Sequence, residues 1–230
     1  EPNRLIEKQV ASFAQAFKNM FIVLGNLRFM TFLLIFSGFW IMFWQEFIAL
    51  PLFIRGYINP NADVDLLTTV DPLAVILFQI LISYLTRKIR PFTAMTAGIL
   101  ITSLSWLILA VCDLSIQINT TVHIGSWALP IQGLPVYALL ALGILAIGEM
   151  VQSPRYYEYV SRLAPPGQQG TYMGFSFLPI AIGFVVAGQI GGRLVHYFGE
   201  TLHRPNQLWY VIAGIGVLTT LLMWIYDKIV

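Results

Sequence analysis

The chain has 230 residues, of which 57% are hydrophobic, 14% aromatic and only 10% charged, with a formal net charge of +2. Soluble domains carry roughly a quarter charged residues, so a soluble globular domain is excluded, together with disorder, collagen, a disulfide scaffold and a basic nucleic-acid binder. The single cysteine, Cys112, allows no intrachain disulfide, and neither a metal signature nor a cofactor loop is legible. The composition is that of a polytopic membrane protein whose first partner is the lipid bilayer.

The chain opens with Glu1 rather than Met, and a signal peptide is not visible in it. Ile6, Val10, Phe13, Phe17, Met20, Phe21 and Leu24 recur at steps of three and four, with Lys8, Ser12, Gln15, Lys18 and Asn19 on the other face. That pattern predicts an amphipathic helix, too polar to span, lying at the cytoplasmic interface and ending at Gly25-Asn26. Residues 1–28 are expected to form a connector within a longer protein, and residues 29–230 a transmembrane bundle.

About 20 apolar residues cross a bilayer as helix. Six stretches qualify: Phe29–Phe53, Leu66–Thr86, Phe92–Asp113, Leu134–Gln152, Tyr172–Tyr197 and Leu208–Tyr226. Breakers separate them, among them Asn59-Pro60-Asn61, Arg90-Pro91, Pro165-Pro166-Gly167 and Arg204-Pro205-Asn206. Lys and Arg concentrate at the two termini and in the second and fourth loops, while the opposite side holds only Arg55, Arg193 and Arg204. Positive charge stays inside, which predicts cytoplasmic termini for this segment in a plasma or inner membrane. Around Ser115–Gly133 the alternation Ile116-Gln117-Ile118-Asn119 and Val122-His123-Ile124 predicts a small outer hairpin. His123, His196 and His203 fall toward the outer face and read as solvated. Tyr156, Tyr157 and Tyr159, with Arg155, Glu158 and Arg162, read as a short cytoplasmic segment anchored at the headgroups.

Ionisable groups within spans are expensive and mark function. Glu46 lies deep in the first span, Asp71 near the outer end of the second, and Glu149 in the inner part of the fourth, with no Lys or Arg well inside any span. Each acid must be protonated, face water or pair with a group outside this chain. Glu46 either serves a site or snorkels outward ahead of Pro51. Asp71-Pro72 either caps a helix or marks a break in one that begins near Leu66. Glu149 follows the apolar run Leu139–Gly148 and reads as functional. In the fifth span, Gly183-xxx-Ala187 and Gly188-xxx-Gly192 permit close helix approach, and Pro179 suggests a bend.

Six spans with an interfacial lead-in resemble the C-terminal half of a major facilitator transporter, an all-α fold of two inverted three-helix repeats. Within that superfamily, Gly148-Glu149-Met150-Val151-Gln152-Ser153-Pro154 is similar to the tenth-helix signature of proton-coupled oligopeptide transporters. Asp71-Pro72 stands where that family usually has Asn-Pro, and Phe39-Trp40 through Gln45 is similar to its seventh-helix pattern. There the family has an acid immediately before the glutamine, whereas here Trp44 precedes Gln45 and Glu46 follows it, about 100° further round an α-helix.

The resemblance implies alternating access with a companion N-terminal six-helix half, a small amine-bearing solute or peptide, and a proton as coupling ion. It also implies that Glu149 engages the substrate amine. Glu46, Asp71, Gln45, Trp40 and Trp44 are the further candidates for lining that cavity. No enzyme constellation is present in the sequence. The alternative is a structural subunit of a larger membrane complex, its cavity filled by Trp40, Phe43 and Trp44.

Overall fold

The computed structural model describes residues 13–125 and 127–229. Six helical segments are long and apolar enough to cross a membrane: Leu27–Ile58, Val64–Thr86, Pro91–Val111, Val136–Leu163, Gln169–Thr201 and Pro205–Ile229. All six expected spans are present. The lead-in forms helix α1 (Phe13–Leu24); the expected positions before residue 13 lie outside the described residues. Asn26 then starts helix α2 (Leu27–Phe43), its Oδ1 accepting from Phe29 N at 3.1 Å, a side-chain cap for an otherwise orphaned N–H. The same side chain donates from Nδ2 to the Tyr172 hydroxyl at 2.9 Å, tying the start of the bundle to the fifth span.

The first span is interrupted. After α2 come a 3-10 turn at Trp44–Glu46, a short helix α3 (Ala49–Phe53) and a π-helical turn at Ile54–Ile58. Pro51 has no N–H to give the Phe47 carbonyl and its ring crowds that turn, so the helix breaks one turn ahead of it. The second span is also broken. Helix α4 (Val64–Thr68) is capped by Asp63, whose Oδ1 accepts from Leu66 N at 3.1 Å. After Thr69, helix α5 (Val70–Thr86) carries Asp71 and Pro72 in its first turn. Pro72 cannot bond the Thr68 carbonyl, which places the break there and not at Asp71 itself.

Helix α6 (Pro91–Val111) leads to a hairpin of β1 (Gln117–Ile124) and β2 (Trp127–Pro135), paired antiparallel with Gln117 opposite Pro135 and an irregularity between Ile118 and Thr120. The hairpin read from alternation is therefore present. It is strapped to the loop between the first two spans by Asn59 Nδ2 donating to Gln117 Oε1 (2.9 Å) and Asp63 N donating to Gln132 O (3.1 Å).

Helix α7 (Val136–Leu163) is longer than expected, because Pro154 does not end it. The Met150 carbonyl, which Pro154 cannot bond, accepts instead from Gln79 Nε2 of α5 at 3.1 Å. For Tyr156 this corrects the reading as a headgroup anchor, while Tyr157 and Tyr159 are partly exposed. Tyr156 is fully buried, stacks on Phe36 at 4.2 Å and 8°, and donates to the Ser176 carbonyl at 2.7 Å. Of the neighbouring charges, Arg162 is exposed and Arg155 and Glu158 are half-buried, with Glu158 accepting from Arg155 (2.7 Å) and Arg162 (2.6 Å).

Helices α8 (Gln169–Phe175), α9 (Leu178–His196) and α10 (Leu208–Ile229) complete the bundle. Principal contacts run α5 to α7, α7 to α6, α6 to α10, α10 to α2 and α2 to α9. The helices thus form an arc with α5 and α9 at its two ends. Close approach explains the order, since packing holds helices together where the solvent is lipid. Gly98 and Gly148 bring α6 against α7, Gly216 brings α10 against Met42 and Ser103, and Gly183 and Gly191 bring α9 against Trp40 and Gln45. In α9 the packed row is Gly183-Ala187-Gly191, while Gly188 and Gly192 face open space. At the end of the bundle that carries the α5–α6 loop, Arg90 donates to Asp227. His196 pairs with Glu200 at 2.9 Å, and all three histidines are exposed.

Candidate functional site

Glu46 sits on the break of the first span. Its side chain has no exposed surface, and neither carboxyl oxygen has a hydrogen-bond partner among the described residues. The snorkelling alternative is therefore corrected: Glu46 turns inward. The break is the cause. A 3-10 turn advances each residue further than the α-helical 100°, so the direction inferred from a continuous helix does not apply to positions 44–46. Irregular backbone at membrane depth is tolerated only where protein or a cavity surrounds it.

Three acids far apart in sequence converge. The carboxyls of Asp71 and Glu149 lie close enough to interact with each other, and Glu46 lies close enough to both to feel their charge. Neighbouring carboxylates repel, and a carboxylate has lone pairs and no donor, so such a cluster favours a shared proton or a cation beside it. Each acid stands near a helix defect: Glu46 on the 44–48 break, Asp71 two residues after Thr69, and Glu149 five residues before Pro154. The burial is graded. Glu46 is sealed, Asp71 is 4% exposed, and Glu149 is partly open.

Glu149, Ser153 and Tyr157 follow at four-residue steps and are all partly exposed, so they line one face of α7. Tyr157 is within electrostatic reach of Glu149 and its ring lies 6.5 Å from that of Phe177. Ser153 and Tyr157 were not anticipated, although the spacing from Glu149 held the signal. Phe177, just before α9, and Ala181, Phe184 and Gly188 on it are exposed along a corresponding row. Between these helices, Trp40 and Trp44 of the first span are half-buried. Trp44 meets Phe184 edge to face at 5.2 Å, and Trp40 packs edge-on against Phe39 and Phe43. Both indole N–H groups are buried without a partner among the described residues.

Gln45 behaves differently. It is wholly buried between α2 and α9, donating to Ile41 O (3.1 Å) and Ala187 O (3.4 Å) over the gap left by Gly191. That takes it off the open face expected for a lining residue. The structure therefore brings Glu46, Asp71 and Glu149 together, sets Trp40 and Trp44 beside the open arc, and uses Gln45 for packing. Among the described residues no group of His, Cys, Asp and Glu has the arrangement to hold a metal ion.

Six spans in an open arc, with broken helices carrying buried acids, have the architecture of the C-terminal half of a major facilitator fold, the scaffold of a membrane transporter. The comparisons agree with that class. Residues 6–201 match the model of the POT family, and the chain belongs to that family. Curated relatives include the multidrug resistance protein MdtH of Aeromonas salmonicida, 26% identical over 202 residues, covering 87% of this chain and 46% of the relative. MdtH of Escherichia coli O157:H7 is 25% identical over 209 residues, covering 90% and 46%. The chain thus spans about half the length of these relatives. A crystal structure of a POT family transporter in complex with 5-aminolevulinic acid superposes with TM-score 0.68 at 18% identity, covering 94% of this chain and 46% of that one. At that identity the likeness speaks for the fold.

Proposed function

We propose that the chain is the C-terminal six-helix unit of a proton-coupled secondary transporter for a small amine-bearing solute or peptide, working by alternating access against a companion six-helix half. Both termini of the segment face the cytoplasm, residues 1–28 form the interfacial connector, and the protein lies in the inner or plasma membrane. The observation that carries this reading is the convergence of Glu46, Asp71 and Glu149 beside the open arc, with no Lys or Arg among the described residues hydrogen-bonded or ion-paired to any of the three. A protonated amine supplies the missing positive charge, and a proton supplies it when the amine has left. Glu149, the least buried of the three, meets the solute. Asp71 exchanges the shared proton with it, and sealed Glu46 holds the pair's local charge.

Trp40 and Trp44 flank the site with indole faces suited to a cation or an apolar side chain. Membership of the POT family and the amine carried by 5-aminolevulinic acid, bound by the structural neighbour, support the amine-bearing class. The test uses the full-length protein reconstituted in liposomes under an imposed proton gradient, with dialanine and 5-aminolevulinic acid as probes. Glu149→Gln is expected to abolish gradient-driven uptake while the protein remains folded. Unchanged uptake by that variant would overturn the site assignment.

A further inference from the structure

Pro154 sits inside α7 and deprives the Met150 carbonyl of its helical donor. Met150 is 1% exposed, so water does not readily take the donor's place. The replacement comes from another helix. Gln79 Nε2 donates to Met150 O at 3.1 Å and to Ser83 Oγ at 2.9 Å, one amide hydrogen to each. The amide orientation is fixed by chemistry, because the opposite flip would set its carbonyl against the Met150 carbonyl.

Helix α5 has few other anchors. Asp71 is its only buried residue among those described, and Ile76, Leu77, Ile80, Leu81 and Leu85 all face outward. Apart from the Asp71–Glu149 approach, the Gln79 bond is the one side-chain hydrogen bond joining α5 to α7 among the described residues. Beyond the proline, α7 is fixed to other elements by Tyr156, which stacks on Phe36 of α2 and donates to Ser176. A helix lacking one internal bond at a proline is where bending concentrates, and this proline lies five residues beyond Glu149.

We propose that Gln79 is a positioning residue that clamps α5 to the proline hinge of α7, so that bending at Met150–Pro154 carries α5 with it. The bond exists because the proline exists. Replace the proline and the helix satisfies Met150 itself, leaving the Gln79 bond dispensable. The link to a transport cycle rests on the reading above, whereas the clamp is a property of the two helices and is tested without any solute.

Spin labels are placed on the exposed inner ends of the two helices, at Leu85→Cys and Leu163→Cys, in the full-length protein in lipid nanodiscs and in a background that includes Cys112→Ser. Pulsed electron–electron double resonance then reads the separation. The parent protein and Pro154→Ala should each give a single narrow distribution. Gln79→Leu should add a longer-distance population, and Gln79→Leu/Pro154→Ala should lose it again. Gln79→Met, closer in shape, is expected to match Gln79→Leu and replaces it if that variant does not fold. A Gln79 variant with the parent distribution overturns the clamp. A double variant as broad as the single overturns its dependence on the proline.

Discussion

The crossing of α6 and α7 offers a sharp test of how this bundle is held together. Gly98 and Gly148 face each other there. A methyl carbon built on Gly98 would lie 2.5 Å from the Gly148 carbonyl oxygen, 2.7 Å from Gln152 Cβ and 2.9 Å from Gln152 N. Two of those three atoms are backbone, so relief requires the helices to part rather than a side chain to rotate. Gly98→Ala therefore overpacks a rigid contact, an effect worth about 1–3 kcal/mol of destabilisation. Against it stands the helix preference of Ala over Gly, roughly 0.5–1 kcal/mol in favour.

Gly143, on the same α7, meets nothing within 4 Å. Gly143→Ala keeps the helix gain without the clash, so the two alanine variants should separate by about 1–3 kcal/mol, with opposite signs relative to the parent. Thermal unfolding of the purified full-length protein, followed by intrinsic fluorescence, measures this. Equal midpoints for the two variants would refute the argument that glycine at position 98 is there for helix approach.

Other expectations follow from the same structure. Tyr156→Phe keeps the stack on Phe36 but leaves the buried Ser176 carbonyl without this donor, and should cost about 0.5–1.5 kcal/mol in the same unfolding measurement. Trp106→Ala removes a fully buried ring stacked on Trp209 at 5.0 Å and 2°, and the cavity should cost about 3–5 kcal/mol; a loss under 1 kcal/mol would mean the helices close over the gap. In the uptake assay, Asp71→Asn should weaken coupling to the proton gradient more than downhill solute exchange, because it removes a proton-sharing partner of Glu149 and leaves that carboxyl in place. Equal losses in both modes would argue against a shared proton.

Within the described residues, the architecture was legible from composition and hydropathy, since every span must satisfy its own backbone in lipid and so must be a long apolar helix. The hairpin followed from period-two alternation, and the acids stood out because little else in a span is ionisable. What the sequence concealed were consequences of long-range packing. Pro51 and Pro72 announced irregularity, but where the chain breaks depended on which carbonyl lost its donor, and so Glu46 was assigned a helical direction it does not have. The fourth span was expected to end at Gln152, yet Gln79, 71 residues before Met150 in the chain, supplies the bond that lets α7 continue past Pro154 and carries Tyr156 into the core.

Of the two close-approach spacings in α9, Gly183-xxx-Ala187 is packed and Gly188-xxx-Gly192 faces open space, whereas the tight crossings of α6, α7 and α10 are made by single glycines at 98, 148 and 216. By itself, then, the sequence determined that six helices form and which polar groups they carry into the membrane, because those are local properties of each stretch. Only the tertiary structure decided that Glu46, Asp71 and Glu149 meet, because proximity between side chains on three different spans depends on how helices pack and where they break.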